Sequence, residues 1–272
     1  MTLDELLPVA HAAVELAGRM VREQRPGLVT EKADRDLVSE ADIAVERAVR
    51  EFLHEHTPDI GFLGEEEGAT DSPIGLTWAL DPIDGTSNYV RGLPLCAISL
   101  ALLDDRSAVL GVINAPFLHS RYHAVLGQGA YLAGTPIHTS DTLQLREAIV
   151  AIGDYASGAD AVSKNHDRLA LTHELAMRVQ RIRMLGTAAL DLAWLAEGKL
   201  DAAVMLSNKP WDTQAGVLLA REAGATVLGR SGEPHTVDST ATIACATRSL
   251  AAAVGPLITN LGRPVAIRAP RP

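Results

Sequence analysis

Apolar residues recur at three- and four-residue steps from Leu3 to Gln24, putting Leu6, Ala10, Ala13, Ala17 and Met20 on one stripe. That period predicts an amphipathic helix whose stripe faces a core or a second subunit. Ser39 followed by Asp42 is a pattern that opens a helix, and Ile43, Ala44 and Ala48 extend it to about His56. Ile60–Gly64 and the run starting at Trp78 then read as short strands, and Cys96–Leu103 as a buried one. Asp104–Ser107 turns that strand back into Ala108–Ile113, which makes a hairpin, and residues 114–140 continue the meander. The second half alternates. Strands are expected at Ala148–Gly153, Arg181–Leu185, Asp201–Leu206, Ala225–Leu228 and Thr242–Ala246. Helices are expected at Lys164–Val179, from Gly186 to about Glu197, at Thr213–Gly224 and at Ser249–Leu261. This pattern predicts an α+β lobe over 1–145 and a layered α/β lobe over 146–265, closely joined, with a frayed tail at 266–272.

A length of 272 residues allows one large domain or two tightly joined lobes. Aromatics make up only 4% against 47% apolar residues, so the core has to be aliphatic. A net charge of −10 without a basic run argues against nucleic acid as a partner. Cys96 and Cys245 lie far apart in apolar runs, which fits buried thiols in a reducing cytoplasm better than a zinc site. The nine histidines form no metal-binding motif. Asp4 and Glu5 stand where a signal peptide would be basic, and Leu95–Leu103 is too short an apolar run to span a membrane.

The chemistry concentrates in Trp78–Pro94, WALDPIDGTSNYVRGLP. Asp81 and Asp84 flank a turn stiffened by Pro82, and Gly85 relieves crowding where the backbone passes close to something. Thr86, Ser87 and Asn88 are helix-capping types. Two carboxylates on a rigid turn suit a hard cation, and the amides that follow suit an anion. Each acidic candidate also has an ordinary reading. Asp42 and Asp212 can be helix caps, D-x-x-D can be a capped turn, and the three glutamates of GEEEG (64–68) can be a solvated loop.

Taken together, DPIDGTSNY, the Lys32…Asp36-Leu-Val-Ser-Glu-Ala-Asp42 segment, Gly64-Glu65-Glu66, Gly186-Thr187-Ala188 and Pro210-Trp211-Asp212 resemble the inositol monophosphatase family. The likeness runs over roughly residues 5 to 260, with Gly127, Gly129, Ala130, Tyr131, Gly134, Pro136 and Ile137 matching as structural positions. It implies an α/β fold in an α-β-α-β-α layered sandwich. It also implies up to three Mg²⁺ held by Glu65, Asp81, the Ile83 carbonyl, Asp84 and Asp212, with Lys32 and Glu66 supporting them. By the same resemblance, Asp42 and Thr86, with Glu65, activate a water that attacks phosphorus without a phosphoenzyme. Asp84, Gly85, Thr86, Gly186, Thr187, Ala188 and Asp212 border the substrate. Lithium inhibition, a small-molecule phosphate monoester as partner and a homodimer are further implications.

One departure bears on specificity. Inositol-specific members carry a glutamate seven residues before the W-D aspartate, and here that position is Met205. A thioether is a weak acceptor. Ser207, Asn208 and Lys209 are the polar neighbours left to contact substrate. Histidinol phosphate, fructose 1,6-bisphosphate or a nucleotide 3′-phosphate therefore stay open as substrates, as does a regulatory scaffold that binds a macromolecule.

Overall fold

In the computed structural model, which describes residues 1–105 and 107–261, the N-terminal stripe forms α1 (Leu3–Glu23). The predicted frayed tail lies outside the described residues. Thr2 and Glu5 exchange backbone-to-side-chain hydrogen bonds at the start of α1, a reciprocal cap. A ribbon follows, β1 (Val29–Ala33) paired antiparallel with β2 (Asp36–Ser39). Its residues are mostly exposed and carry no apolar alternation, so the periodicity does not reveal it. Next come α2 (Glu40–His56), β3 (Gly61–Gly64), β4 (Ala69–Thr70), β5 (Leu76–Asp84) and the short α3 (Thr86–Val90). The meander is β6 (Ala97–Asp104), β7 (Ser107–Ala115), β8 (Ser120–Val125), β9 (Ala130–Leu132) and β10 (Thr135–Ile137). The second half supplies β11 (Ile149–Ile152), α4 (Ala161–Ala176), β12 (Arg181–Arg183), α5 (Ala188–Ala196) and β13 (Ala202–Met205). It ends with α6 (Pro210–Glu222), β14 (Thr226–Leu228), β15 (Thr242–Cys245) and α7 (Arg248–Thr259).

Two large sheets organise these elements. The first has eight strands in the order β10-β9-β8-β7-β6-β5-β3-β4, and the second has five, β12-β11-β13-β15-β14. Leu6, Ala10, Ala13 and Ala17 of α1 and Val45, Val49 and Leu53 of α2 pack on one face of the first sheet, against Trp78, Leu80, Leu100 and Leu110. Its other face, with Ala79, Ala101 and Ile113, meets Ala189 and Ala193 of α5 and Ala215 and Leu219 of α6. The far sides of α5 and α6, with Leu192, Leu195, Val217 and Ala220, meet Ala203, Met205 and Ala244 of the second sheet. Leu171 and Leu175 of α4 and Leu250 and Val254 of α7 close the outer face of that sheet. The stacking is therefore α-β-α-β-α, as the resemblance implies. Among the described residues no helix is long and apolar enough to cross a membrane.

The central helices are the tightest part of the stack. A Cβ at Gly216 of α6 would lie 2.6 Å from Leu192 Cβ of α5, and a Cβ at Gly111 of β7 would lie 2.9 Å from the Ala215 carbonyl oxygen. These two glycines set how closely α6 approaches its neighbours, because real Cβ contacts are not that short.

Gly216→Ala is expected to push α5 and α6 apart at a cost of about 1–3 kcal/mol. Denaturant unfolding should show a lower midpoint at an unchanged slope. A midpoint equal to that of the parent would mean the two helices have slack.

Candidate metal and active centre

The site begins at an irregularity in β5. Asp81 pairs with Ser99 of β6, and Asp84 pairs with Ala97, so three steps along β5 match two along β6. The extra residue is a β-bulge, and Pro82, which has no amide to donate, sits inside it. In a regular strand, residues three apart face opposite sides. The bulge restores one residue of phase, so Asp81 and Asp84 share the face that meets α5 and α6. β3 runs parallel to β5 with Gly64 opposite Leu80, so Glu65 leaves the end of β3 alongside Asp81.

Asp212 arrives from the second half of the chain. Asp212 does cap its helix, but from the first turn and not from the N-cap position. α6 starts at Pro210, Lys209 is its N-cap, and Asp212 lies in its first turn, where its Oδ2 accepts from Lys209 N (2.8 Å). Ser99 Oγ donates to the Trp211 carbonyl (3.0 Å), tying that turn to β6. Glu65, Asp81 and Asp212 thereby come together, each offering an oxygen within 4.8 Å of the others.

Asp84 lies beside this trio and turns to α5. Its Oδ2 accepts from Thr187 Oγ1 and Ala189 N, both at 2.6 Å. Thr187 also caps α5 through Leu190 N. The capping role expected of Thr86–Asn88 is corrected too. Gly85 is the N-cap of α3, in a left-handed conformation with φ 96°. A Cβ there would lie 2.8 Å from the Leu95 carbonyl oxygen and 3.2 Å from that of Gly186, so both φ and space demand glycine. Gly186 is left-handed as well, at φ 71°. Asn88 bridges the two halves, donating to the carbonyls of Leu95 and Leu185 (2.8 Å each).

Asp42 is buried in the first turn of α2. Its Oδ2 accepts from Ser39 N (2.9 Å) and Ser39 Oγ (2.5 Å). Its Oδ1 accepts from Thr86 Oγ1 (3.1 Å), for which the Ile83 carbonyl at 3.2 Å is a second acceptor. The Ile83 side chain is buried in the core, so only its main chain faces this network. Lys32 Nζ bridges Glu65 (2.8 Å) and Glu66 (2.6 Å). Ala188 lines the cleft next to Thr187.

Electrostatics mark the cluster as strained for bare carboxylates. Burial first, then the charges of Glu65, Asp84, Asp212 and Asp42, push the Asp81 carboxyl well above its usual range. Burial and Asp84 take Asp212 up to about 7. Asp84 is pushed up by burial, against the bonds from Thr187 and Ala189. Burial also raises Asp42 and takes Glu66 up to about 7, with Lys32 opposing both. Burial pulls the Lys32 ammonium down, but Glu65 and Glu66 outweigh it and raise it. The donor set is all oxygen, closely spaced and short of positive charge, which fits hard divalent cations.

Three neighbours escape sequence reasoning. Glu46 of α2 is fully buried, accepts from Glu66 N (2.8 Å) and Glu67 N (2.9 Å), and pairs with Arg50 (3.1 Å), so it shapes the loop carrying Glu65. Gly64 leaves room for it, since a Cβ there would lie 2.2 Å from Glu46 Oε1. The signal was an acid on the apolar side of α2 with a basic residue four positions on. Asp191 of α5 is buried, has an Oδ1 without a partner among the described residues, and has a carboxyl raised well above the usual range by burial, then by Asp84 and Asp154. Asn88 is the third. A cleft of about 450 Å³ opens here, lined by Asp84, Gly186, Thr187, Asp191, Met205 and Asp212.

Comparison with known proteins agrees with this geometry. The model of the inositol monophosphatase family matches residues 2–262. Inositol monophosphatase 1 of Solanum lycopersicum is 32% identical over 251 residues, covering 88% of this chain and 89% of that protein. The fructose-1,6-bisphosphatase/inositol-1-monophosphatase of Aquifex aeolicus is 32% identical over 239 residues, covering 86% and 89%. The crystal structure of the extragenic suppressor protein suhB from Bartonella henselae superposes with a TM-score of 0.87 at 28% identity, over 93% of this chain and 98% of that one. The bulged β5, the acidic cluster and the layered stack thus sit in a chain that belongs to the inositol monophosphatase family.

Proposed function

We propose that this protein is a Mg²⁺-dependent phosphomonoesterase that hydrolyses inositol monophosphate or a related polyol or sugar phosphate to the alcohol and inorganic phosphate. One observation carries the reading. Glu65, Asp81 and Asp212, from three distant segments, place carboxylate oxygens within 4.8 Å of one another, and Asp212 also lines the cleft. That arrangement is costly without cations and useful with them. Glu65, Asp81 and Asp212, with Asp84 and the Ile83 carbonyl, would hold up to three Mg²⁺. When bound, the metal neutralises phosphoryl charge and makes a nucleophile available at neutral pH.

The chain's own part is proton handling and orientation. Asp42 is fixed by Ser39 so that its free oxygen reaches Thr86. A water that gives its proton to Thr86 Oγ1, while Thr86 passes its own to Asp42, becomes the attacking group. Burial raises the Asp42 carboxyl above its usual range, toward the operating pH of a general base. Lys32 holds Glu65 in place through its ammonium. Gly186, Thr187 and Ala188 line the cleft and, with Gly85 and Thr86, would form the wall against which the phosphoryl group rests. Met205 puts a thioether where an acceptor would read inositol hydroxyls, which weakens selection for inositol. The twofold name of the Aquifex aeolicus relative favours fructose 1,6-bisphosphate as a second substrate. The reading also includes a homodimer in a reducing compartment, which suits two free, buried cysteines. Sedimentation should then give twice the mass of the chain, and a monomer at micromolar concentration would remove the dimer from the proposal.

With Mg²⁺ and inositol 1-phosphate, Asp84→Asn is expected to lose on the order of 10²-fold or more in turnover. Asp42→Asn should lower kcat by about 10²–10⁴-fold with little change in KM. Added Li⁺ should inhibit the parent protein. Parent-like turnover in Asp84→Asn would remove the metal argument, and a change confined to KM in Asp42→Asn would remove the base.

A second test needs no substrate. The Asp212 carboxyl is raised from 3.8 to about 7 on folding, so its neutral form stabilises the fold. That contribution is complete below the unfolded value of 3.8 and is lost as pH climbs through about 7. In chelator-treated protein, Asp212→Asn should melt several degrees above the parent at pH above about 7, and the gap should close near pH 3.8. Mg²⁺ should raise the parent's Tm more than the variant's. A pH-independent gap would show that Asp212 is not under charge strain.

A further inference from the structure

The loop that carries Glu65 is held from behind. GEEEG (64–68) closes on itself through Gly64 N and the Gly68 carbonyl (3.1 Å). Within it, Glu66 N donates to Glu46 Oε2 (2.8 Å) and Glu67 N to Glu46 Oε1 (2.9 Å). Consecutive amides turned toward one anion form a nest. Here the anion is a side chain of α2, and Glu46 is fully buried.

Arg50, one turn further along α2, completes the grip. Its Nη2 donates to Glu46 Oε1 (3.1 Å) and to the Gly68 carbonyl (2.9 Å). Its guanidinium stands 4.5 Å from the centre of the Phe62 ring, and Phe62 is a buried residue of β3. The loop is thus fastened to α2 at Glu66, Glu67 and Gly68. On its open side Glu65 pairs with Lys32, and those two side chains are 25% and 26% exposed. A part-exposed ion pair on a flexible stem is the weaker constraint, and a buried carboxylate with two amide donors and an arginine is the stronger. Glu46 belongs neither to the acidic trio nor to the proton path through Thr86 and Asp42. Burying an acid is costly. An apolar residue in its place would leave two loop amides without their acceptor.

We propose that Glu46, supported by Arg50, is a positioning residue for the metal centre. By holding the amides that follow Glu65, it fixes where that carboxylate meets Asp81 and Asp212, and so sets the affinity for the divalent cation they share. The inference rests on the reading of these acids as Mg²⁺ ligands. Mg²⁺ demands near-ideal octahedral geometry, whereas Ca²⁺ accepts more ligands at longer and more variable distances. Slack in this loop therefore costs Mg²⁺ more than Ca²⁺.

The test uses the full-length protein without substrate. Mn²⁺ binding is read from the electron paramagnetic resonance signal of the free ion, and displacement of Mn²⁺ by Mg²⁺ or Ca²⁺ gives their affinities. Glu46→Gln should weaken Mg²⁺ by about 10–100-fold, and Ca²⁺ by less. Glu46→Asp keeps the charge beside Arg50 but is one methylene short of both amides, so it should weaken Mg²⁺ by about three- to tenfold. That variant carries the test if Glu46→Gln does not fold. In a Glu65→Gln background, adding Glu46→Gln should cost less than about twofold more, because Glu46 acts through Glu65. Val254→Ala, which opens a cavity in the outer layer of the second sheet, should bind Mg²⁺ like the parent. Parent-like Mg²⁺ affinity in Glu46→Asp would overturn the proposal. So would an equal loss in Val254→Ala, or a full further loss in the Glu65→Gln background. Failure of the parent to bind Mn²⁺ would overturn both this inference and the metal reading. The expected pattern in a protein that releases no phosphate from any ester would uphold the role of Glu46 and overturn only the phosphomonoesterase.

Discussion

Carboxylates crowded out of water repel one another, and this site gathers them where burial makes the repulsion worst. The fold answers with backbone donors. Asp42 takes the Ser39 amide, Asp81 takes the Ile83 amide, Asp84 takes the Ala189 amide, and Asp212 takes the Lys209 amide. Asp42, Asp84 and Asp212 sit at the N-terminal turns of α2, α5 and α6, where amides are unpaired and the helix dipole favours negative charge. Each anchor fixes one oxygen. For Asp81 and Asp212 the other has no protein donor among the described residues, so the carboxylate is held firmly and still has an oxygen to offer.

That arrangement explains why the layers stack as they do. α5 and α6 must bring their N-termini to the end of β5, and only a middle layer between two sheets can do so while α2 approaches from the opposite face. The bulge then carries out the last adjustment. Without the extra residue between Asp81 and Asp84, one of the two would point at the α1/α2 core, where Leu80 and Ile83 are packed. Glycine at 85, 111, 186 and 216 permits the close approaches around this junction.

Much of this was legible in the sequence because the motifs are dense in chemistry. DPIDGT, GEE and WD each name their acids, and the alternation of strands and helices in the second half gave its layers. What stayed hidden was mostly long-range. A bulge is a statement about a partner strand, and nothing within β5 specifies how β6 is counted. Glu46 and Asp191 look like ordinary helix positions until the packing buries them. In the β1–β2 ribbon the buried positions, Val38 and Ser39, are adjacent, so no alternating period shows. The late start assigned to α6 had a readable cue, because Pro210 suits the first helical position.

The middle layer also constrains how the chain can be made. The eight-stranded sheet is complete by Ile137, and its face toward α5 and α6 is rich in alanine and leucine. Once α6 docks there, its outer side, with Val217 and Ala220, has to wait for β14 and β15 to be synthesised. During that interval a nascent chain carries an apolar surface with no cover, the condition under which partly folded proteins associate. Interruption of synthesis between α6 and β15 would leave a fragment with the acidic pocket nearly assembled and its outer wall missing, a substrate for chaperones and proteases and not for catalysis.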